Sequence, residues 1–314
     1  MPPTVQPSRH ASALEVGASP PAATPSAPAA QTPPTEPTAA GDPYATAMPI
    51  SAKSIGHTSY VLKVTLEGGL AAAYKPASTL LLGGHRYKGE IAAYRLARAL
   101  GLENVPRAIP RAFSATALHE AFQTPKGAED FDLKATVDPA GLVHGALIPW
   151  INDYRVLPLE EPAWRARWES WLMNPEAGIP DGQEGLAASI STMLVFDYAT
   201  ANWDRWSGAN VARIGDDGPL LFVDNDGAFY ARPDPGSLAT QLARLRKVVR
   251  FSRSFTSALR ALDDAKVRLA FGEEAPGVPL LSNSVVIGVE SRIRTVLAVI
   301  GACVDRRGDS ALLP

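Results

Sequence analysis

Residues 185–202, GLAASISTMLVFDYATAN, constrain the fold more than any other stretch. They read as a helix that is strongly apolar, and such a helix has to be covered by other parts of the chain. No run reaches the roughly 18–20 apolar residues that a membrane span needs. The helix is therefore expected to form the core of a lobe. With 314 residues the chain is long enough for one large domain or two lobes.

The segments before this helix read as strands. Residues 60–66 and 70–75 form a hairpin that turns at Glu67-Gly68-Gly69, preceded by a small-residue loop, SAKSIGHTS, that contains Gly56. KGEIAAYRLARALG places Ile91, Tyr94, Leu96 and Leu100 at helical spacing, with Gly101 as its C-terminal cap. VPRAIPRAF is expected to return extended. FDLKATVDPAGLVHGALIPW is expected to form a second hairpin turning at residues 138–141. Trp164, Trp168 and Trp171 share one helical face and read as packing. After the apolar helix come a polar loop, NWDRWSGAN, and two short strands, NVARI and LLFV, around a turn at residues 215–218. From about Pro235 the chain reads as helices, the last of them long and ending in arginines that suit its C-terminal dipole. Strands followed by helices give an α+β, two-lobed body with a cleft between the lobes. The expected boundaries are a tail over residues 1–48, an N-lobe over 49–151 and a C-lobe over 152–314. The tail is expected to be disordered, because twelve of the 28 prolines fall in the first 50 residues among Ala, Ser and Thr.

Composition excludes several classes. Lys plus Arg number 30 against 32 Asp plus Glu, which gives no basic footprint for nucleic acid. The one cysteine, Cys303, lies in an apolar run and reads as buried filler, so neither an internal disulfide nor a Cys/His metal cage is expected. The N-terminus has no apolar signal region, and a soluble, cytoplasmic protein is the expectation. The five histidines have no metal spacing, and neither G-x-x-x-x-G-K-[ST] nor G-x-G-x-x-G is present.

The polar residues fit phosphoryl transfer. That chemistry needs a small-residue loop over the phosphates, a strand Lys, a helical Glu to hold it, an Asp for the acceptor hydroxyl, and an Asn and an Asp for the metal. Gly56, Lys75, Glu90, Asp204, Asn210 and Asp224 occur in that order. Each has a plain reading as well: a solvated strand-end Lys, a dipole-favoured Glu in a first helical turn, a turn sequence in DNDG. Their common order is what carries weight.

FDYATANWDRWSGANV followed by LLFVDNDGAF resembles the atypical kinases of the Fam20 and four-jointed group, within the wider set of HipA-type and phosphatidylinositol kinase-like proteins. YKGEIAAYRLARALGLENVP resembles their Lys-and-Glu region. The likeness runs through most of residues 50–230. It implies a bilobed protein-kinase-like fold that uses ATP with Mg²⁺ or Mn²⁺. Asp204 and Arg205 would form the catalytic group, Asp204 as the base and Arg205 pairing with a carboxylate to stiffen it. Gly56, Lys75 and Glu90 would bind the nucleotide, with residues 143–150 near the adenine. Asp224 and Asn210 would hold metal. Relatives commonly carry a His where this chain has Trp206. Asn210 comes six residues after Asp204 instead of five, so the loop has to bulge, or Asn225 substitutes. The expected activity is transfer of the γ-phosphate to a hydroxyl-bearing substrate: a protein, sugar, lipid headgroup or small molecule. A pseudokinase acting through a partner and a nucleotidyl transferase are the alternatives.

Overall fold

The computed structural model describes residues 41–56 and 59–314. The expected disordered stretch up to residue 40 lies outside the described residues, as does His57. Residues 41–48 of the expected tail pack on the body. Asp42 caps the short helix α1 (Pro43–Thr46) and pairs with Arg107. Arg111 donates to the carbonyls of Tyr44 and Ala47.

The first lobe is a five-stranded antiparallel sheet in the order β1-β2-β3-β5-β4. Its strands are β1 (Pro49–Ser54), β2 (Leu62–Leu66), β3 (Leu70–Pro76), β4 (Ile109–Ser114) and β5 (Leu142–Pro149). The β2–β3 hairpin turns over Glu67–Gly69 as expected. The loop expected over SAKSIGHTS is in part strand, because its first residues pair with β2. Leu62, Val64, Leu66, Tyr74, Phe113, Phe131, Val143 and Leu147 form the core of this lobe.

Between β3 and β4 runs α2 (Gly83–Ala99), five residues longer at its start than the periodicity implied. Two glycines in sequence look like a helix stop. Here Gly83 is the first helical residue because a Cβ on it would lie 2.0 Å from Ser78 Oγ. Glu90 therefore sits in the second turn, and the helix dipole does not account for it. The second expected hairpin is corrected too. FDLK ends α4 (Pro125–Lys134), which follows α3 (Ala115–Glu120) and starts at the Thr124 cap with Pro125 behind it. The turn at residues 138–141 leads into β5, which pairs with β3 and β4.

The second lobe opens with β6 (Tyr154–Val156) and α5 (Pro162–Met173). Trp168 and Trp171 of α5 are buried in its core, as the packing reading expects. α6 (Glu184–Thr200) is the expected central helix: 13 of its 17 residues are buried, so it is covered on nearly every side. Its Thr192 and Thr200 hydroxyls donate back to carbonyls one turn earlier, which makes them tolerable there. β7 (Val211–Ile214) and β8 (Leu220–Phe222) join β6 in a small sheet. Then come α7 (Pro235–Leu245), β9 (Phe251–Ser252), α8 (Arg253–Ala261), α9 (Asp264–Phe271), the hairpin β10 (Glu273–Ala275) and β11 (Val278–Pro279), α10 (Asn283–Arg307) and β12 (Leu312–Leu313). Cys303 is buried on α10, as expected. The fold is thus α+β and bilobed, with a β-rich first lobe and an α-rich second.

The two lobes share α2. Ile91, Ala92, Leu96 and Ala97 belong to the core of the second lobe, together with Phe196 of α6 and Phe271 of α9. Tyr87 and Lys88 both reach Glu274, and Arg95 donates to the carbonyls of Phe271 and Glu273. The helix that carries Glu90 is therefore fastened to the second lobe while its Glu90 faces β3 of the first.

Candidate active site

Lys75 lies near the end of β3, and its ammonium is buried. It meets Glu90 Oε1 at 2.6 Å, Asp224 Oδ1 at 2.5 Å and Asp226 Oδ2 at 3.3 Å. Burial opposes its charge, but the three carboxylates more than offset that and hold its pKa well above the ordinary lysine value. Glu90 Oε1 also accepts the backbone N–H of Asn225 at 3.0 Å, so one carboxylate ties strand, helix and the loop after β8 together. Burial pushes the Glu90 carboxyl up, against the pull of Lys75.

Two glycines permit these approaches. A Cβ on Gly89 would lie 2.7 Å from Asn225 O, so α2 touches the DNDG loop backbone to backbone. A Cβ on Gly227 would lie 2.7 Å from Asp204 Cβ and 3.0 Å from Asn202 Oδ1. The DNDG and NWDR loops are thereby pressed together, and Trp203 N–H donates to Gly227 O at 3.4 Å.

Asp204 is half-buried, in a turn where Asn202 Oδ1 accepts its N–H at 3.1 Å. Burial raises its carboxyl above the ordinary range. Ser207 and Arg86 oppose this, and the charges of Asp224 and Asp226 add to it. Asp224 adopts φ +54°, a left-handed conformation uncommon for a residue with a side chain, and its side chain is 37% exposed. Burial works against its charge as well, but Lys75, then Arg205 and Arg86, hold its carboxyl below the usual range.

Asn210 sits where a six-residue spacing requires a bulge, and the bulge is made by Gly208 and Ala209, at φ +92° and +60°. Its Nδ2 donates to Asp204 O at 2.8 Å and to Ser207 Oγ at 3.1 Å, which leaves Oδ1 for another partner. Asn225, the alternative to it, has both ends of its amide engaged by the protein. Its Oδ1 accepts from Arg205 at 2.7 Å and its Nδ2 donates to Phe222 O at 2.9 Å, both buried.

Arg205 corrects its assignment to the catalytic group. Its side chain is fully buried and does not face the cleft. It binds both oxygens of Asp197, at 3.1 and 3.2 Å, and the carbonyls of Asn210 and Val223, besides Asn225. It ties the NWDR loop, α6 and the DNDG loop together from beneath. Burial pushes Asp197 up to about 6, with Arg205 pulling the other way. Trp206 packs on Trp168 at 5.7 Å, and Arg244 lies over its ring at 4.5 Å, so it too supports the loop. Gly56 lies in the turn between β1 and β2. A Cβ there would meet Ser59 O at 2.0 Å, so this turn admits no side chain at that position.

Lys75, Glu90, Asp204, Asn210 and Asp224 are thus brought to one cleft, while Arg205 lies below it. Sequence reasoning missed Asp226, Arg86 and Asp197. Asp226 was hidden in DNDG, which reads as a turn. Asp197 carried a signal in being the one acidic residue of FDYATAN. Among the described residues no group of three or more His, Cys, Asp or Glu side chains forms a metal cage. A cavity of about 620 Å³ lies nearby, lined by His85, Lys88, Arg268, Phe271 and Leu281, but none of the five cleft residues lines it.

No family model matches the chain. Two curated proteins are similar: the pseudokinase FAM20A of mouse at 24% identity and that of human at 22%, each over 176 residues. The match covers 52% of this chain and 30% of each relative, so the chain spans about a third of their length. Among solved structures, the Golgi casein kinase with Mn/ADP bound superposes with a TM-score of 0.62 at 16% identity, over 86% of this chain and 77% of that one. The hydra Fam20 with sugar gives 0.61 at 18%, over 86% and 89%. The cytoplasmic expectation does not stand, since a similar structure is that of a Golgi enzyme, which points away from the cytoplasm. A single buried cysteine suits either redox compartment and does not decide between them. Among the described residues no helix is long and apolar enough to cross a membrane. In sequence and in fold alike, this chain resembles the Fam20 and Golgi casein kinase family of atypical kinases.

Proposed function

We propose that the chain is an ATP- and divalent-metal-dependent phosphotransferase that moves the γ-phosphate to a hydroxyl acceptor. One observation carries this reading: Lys75 is held by Glu90 and directed at Asp224, with Asp204 fixed across Gly227 in the next loop. Lys75 would bind nucleotide phosphate oxygens, and Glu90 would keep it in place. Residues 143–150 would border the adenine and Gly56 would let its turn cover the phosphates. Asp204 would take the proton of the acceptor hydroxyl. The acceptor oxygen bonds to the γ-phosphorus as the bond to the β-phosphate oxygen breaks, and ADP leaves with that electron pair.

The residues fit a divalent cation. Asp224 keeps Oδ2 open among the described residues and Asn210 keeps Oδ1. Mg²⁺ sites commonly use one or two carboxylates together with phosphate oxygens, so a full protein cage is not required. When bound, such an ion supplies charge neutralisation at the phosphates. The Mn/ADP of the similar Golgi kinase supports this choice. The similarity to FAM20A favours a second reading, a pseudokinase that binds nucleotide and acts through a partner.

The test is calorimetric titration of ATP with and without Mg²⁺ or Mn²⁺, alongside labelled-ATP transfer read by mass spectrometry. Asp224→Ala is expected to lose metal-dependent binding. Asp204→Asn is expected to bind ATP but turn over about 10²–10⁴-fold more slowly. Binding without transfer selects the pseudokinase, and transfer of AMP selects a nucleotidyl transferase. No metal-dependent ATP binding in the unaltered chain would overturn the proposal.

A further inference from the structure

Arg86 lies in the first turn of α2, one turn before Glu90. Its side chain is only 18% exposed, yet the one bond it makes among the described residues runs from NH1 to Asp226 Oδ1, at 2.9 Å. Asp226 is itself buried, and its other oxygen takes Lys75 at 3.3 Å. A single fixed carboxylate thus holds two cations, one on either side, at the mouth of the same cleft. A guanidinium has five N–H donors in a rigid fork. Here most of them make no bond among the described residues, and none of these is sealed from solvent, so they are open to an anionic ligand. The charge of Arg86 lowers the pKa of Asp204, Asp224 and Tyr230. The three carboxylates around Lys75 outnumber its single charge, so a polyphosphate bound beside it calls for a further cation.

We infer that Arg86, held by Asp226, donates to the terminal phosphoryl group of the bound nucleoside triphosphate as the second cation of the site. The inference rests on the phosphotransferase reading above. It assigns Arg86 the charge that a transferring phosphoryl group gathers on its outer oxygens. A purely structural Arg86, pinning α2 to the DNDG loop, would serve diphosphate and triphosphate alike.

The experiment titrates ADP, ATP, and ADP with aluminium fluoride into the full-length chain, Arg86→Met and Arg86→Lys, with Mn²⁺ present, and measures ATP turnover on each. Arg86→Met is expected to leave ADP affinity within about twofold, to lose the aluminium fluoride complex, and to slow turnover roughly 10²–10³-fold. Arg86→Lys should restore part of both, because it returns the charge without the fork. Equal weakening of ADP and ATP, or unchanged turnover, overturns the inference and leaves the phosphotransferase reading intact. Absence of nucleotide binding in the unaltered chain overturns both. Should Arg86→Met melt far below the unaltered chain, the ADP-to-ATP comparison is read on Arg86→Lys. There a selective loss for ATP supports the contact and an equal loss refutes it.

Discussion

On the proposed function, Gly227→Ala separates the geometry of the Asp204 loop from nucleotide binding. The new Cβ would start 2.7 Å from Asp204 Cβ, and ordinary contact begins at 3.4 Å, so the two loops must part by about 0.7 Å. Neither side yields easily. Asn202, 3.0 Å away, is buried and already holds the Asp204 N–H, and the Arg205 clamp fixes the loop from below. A misplacement of about 1 Å costs about 10²-fold in rate, so kcat should fall roughly 10- to 100-fold. Overpacking should also cost roughly 1–3 kcal/mol of stability. Gly89→Ala is the companion. Its Cβ would meet Asn225 O at 2.7 Å and displace α2, and Glu90 with it. It should weaken ATP binding first, since it disturbs the Lys75–Glu90 contact and leaves Asp204 in place. Calorimetry gives Kd, turnover gives kcat, and melting curves report folding. An unchanged kcat in folded Gly227→Ala, or identical Kd and kcat profiles for the two variants, would refute the division of labour.

Lys75→Met leaves Glu90 buried without its partner and should destabilise the protein by roughly 3–5 kcal/mol. Adding Glu90→Gln should recover much of that in chemical denaturation but none of the nucleotide binding; additive losses in the double variant would count against the pair. Truncation to Gly41 should leave the melting temperature unchanged on the composition of the removed segment, whereas truncation to Met48 should lower it, since Asp42–Arg107 and the contacts of Arg111 are lost.

What was legible in the sequence follows from how local each signal is. The β2–β3 hairpin, the central helix α6 and the paired strands β7 and β8 are specified by turn residues and by a burial pattern contained within each segment. The start of α2 was not, because Gly83 and Gly84 lower helix propensity and only the tertiary contact with Ser78 explains the first of them. FDLK alternates like a strand, and the helix signal lay upstream in Thr124-Pro125. Among site residues, Lys75, Glu90, Asp204 and Asp224 stood in a recognisable order. Arg205 looked catalytic because it follows Asp204, but its guanidinium is taken up by Asp197 and Asn225, both far from it in sequence or hidden in a turn motif. Asp226 and Arg86 are 140 residues apart, and no local pattern relates them.

Electrostatics gives the two principal carboxylates of the cleft opposite effects on stability. Four carboxylates, Glu90, Asp204, Asp224 and Asp226, face the two cations Lys75 and Arg86. Folding alone has no use for that surplus, since one carboxylate would neutralise Lys75; it suits a cation that arrives with an anionic ligand. Asp224 sits against Lys75 and its folded pKa is depressed. Its charge therefore contributes stability that is present above the unfolded value of about 3.9 and fades as pH falls through the folded one. Asp204 has no such partner and its folded pKa is raised, by burial first and by Asp224 and Asp226 after it. Its contribution is fully present below about 3.9 and is lost as pH rises through the folded value, so at neutral pH its charge is a cost. Asp204→Asn should thus raise the melting temperature at pH 7 while suppressing turnover, and Asp224→Asn should lower it. The Asp204 difference should shrink as the pH falls toward 4, whereas the Asp224 difference should persist there and fade only below about 3.9. Melting curves of the three proteins between pH 4 and 8, without nucleotide, test this. A lower melting temperature for Asp204→Asn at pH 7 would mean that its charge is satisfied within the fold, and that a catalytic use is not what keeps it there.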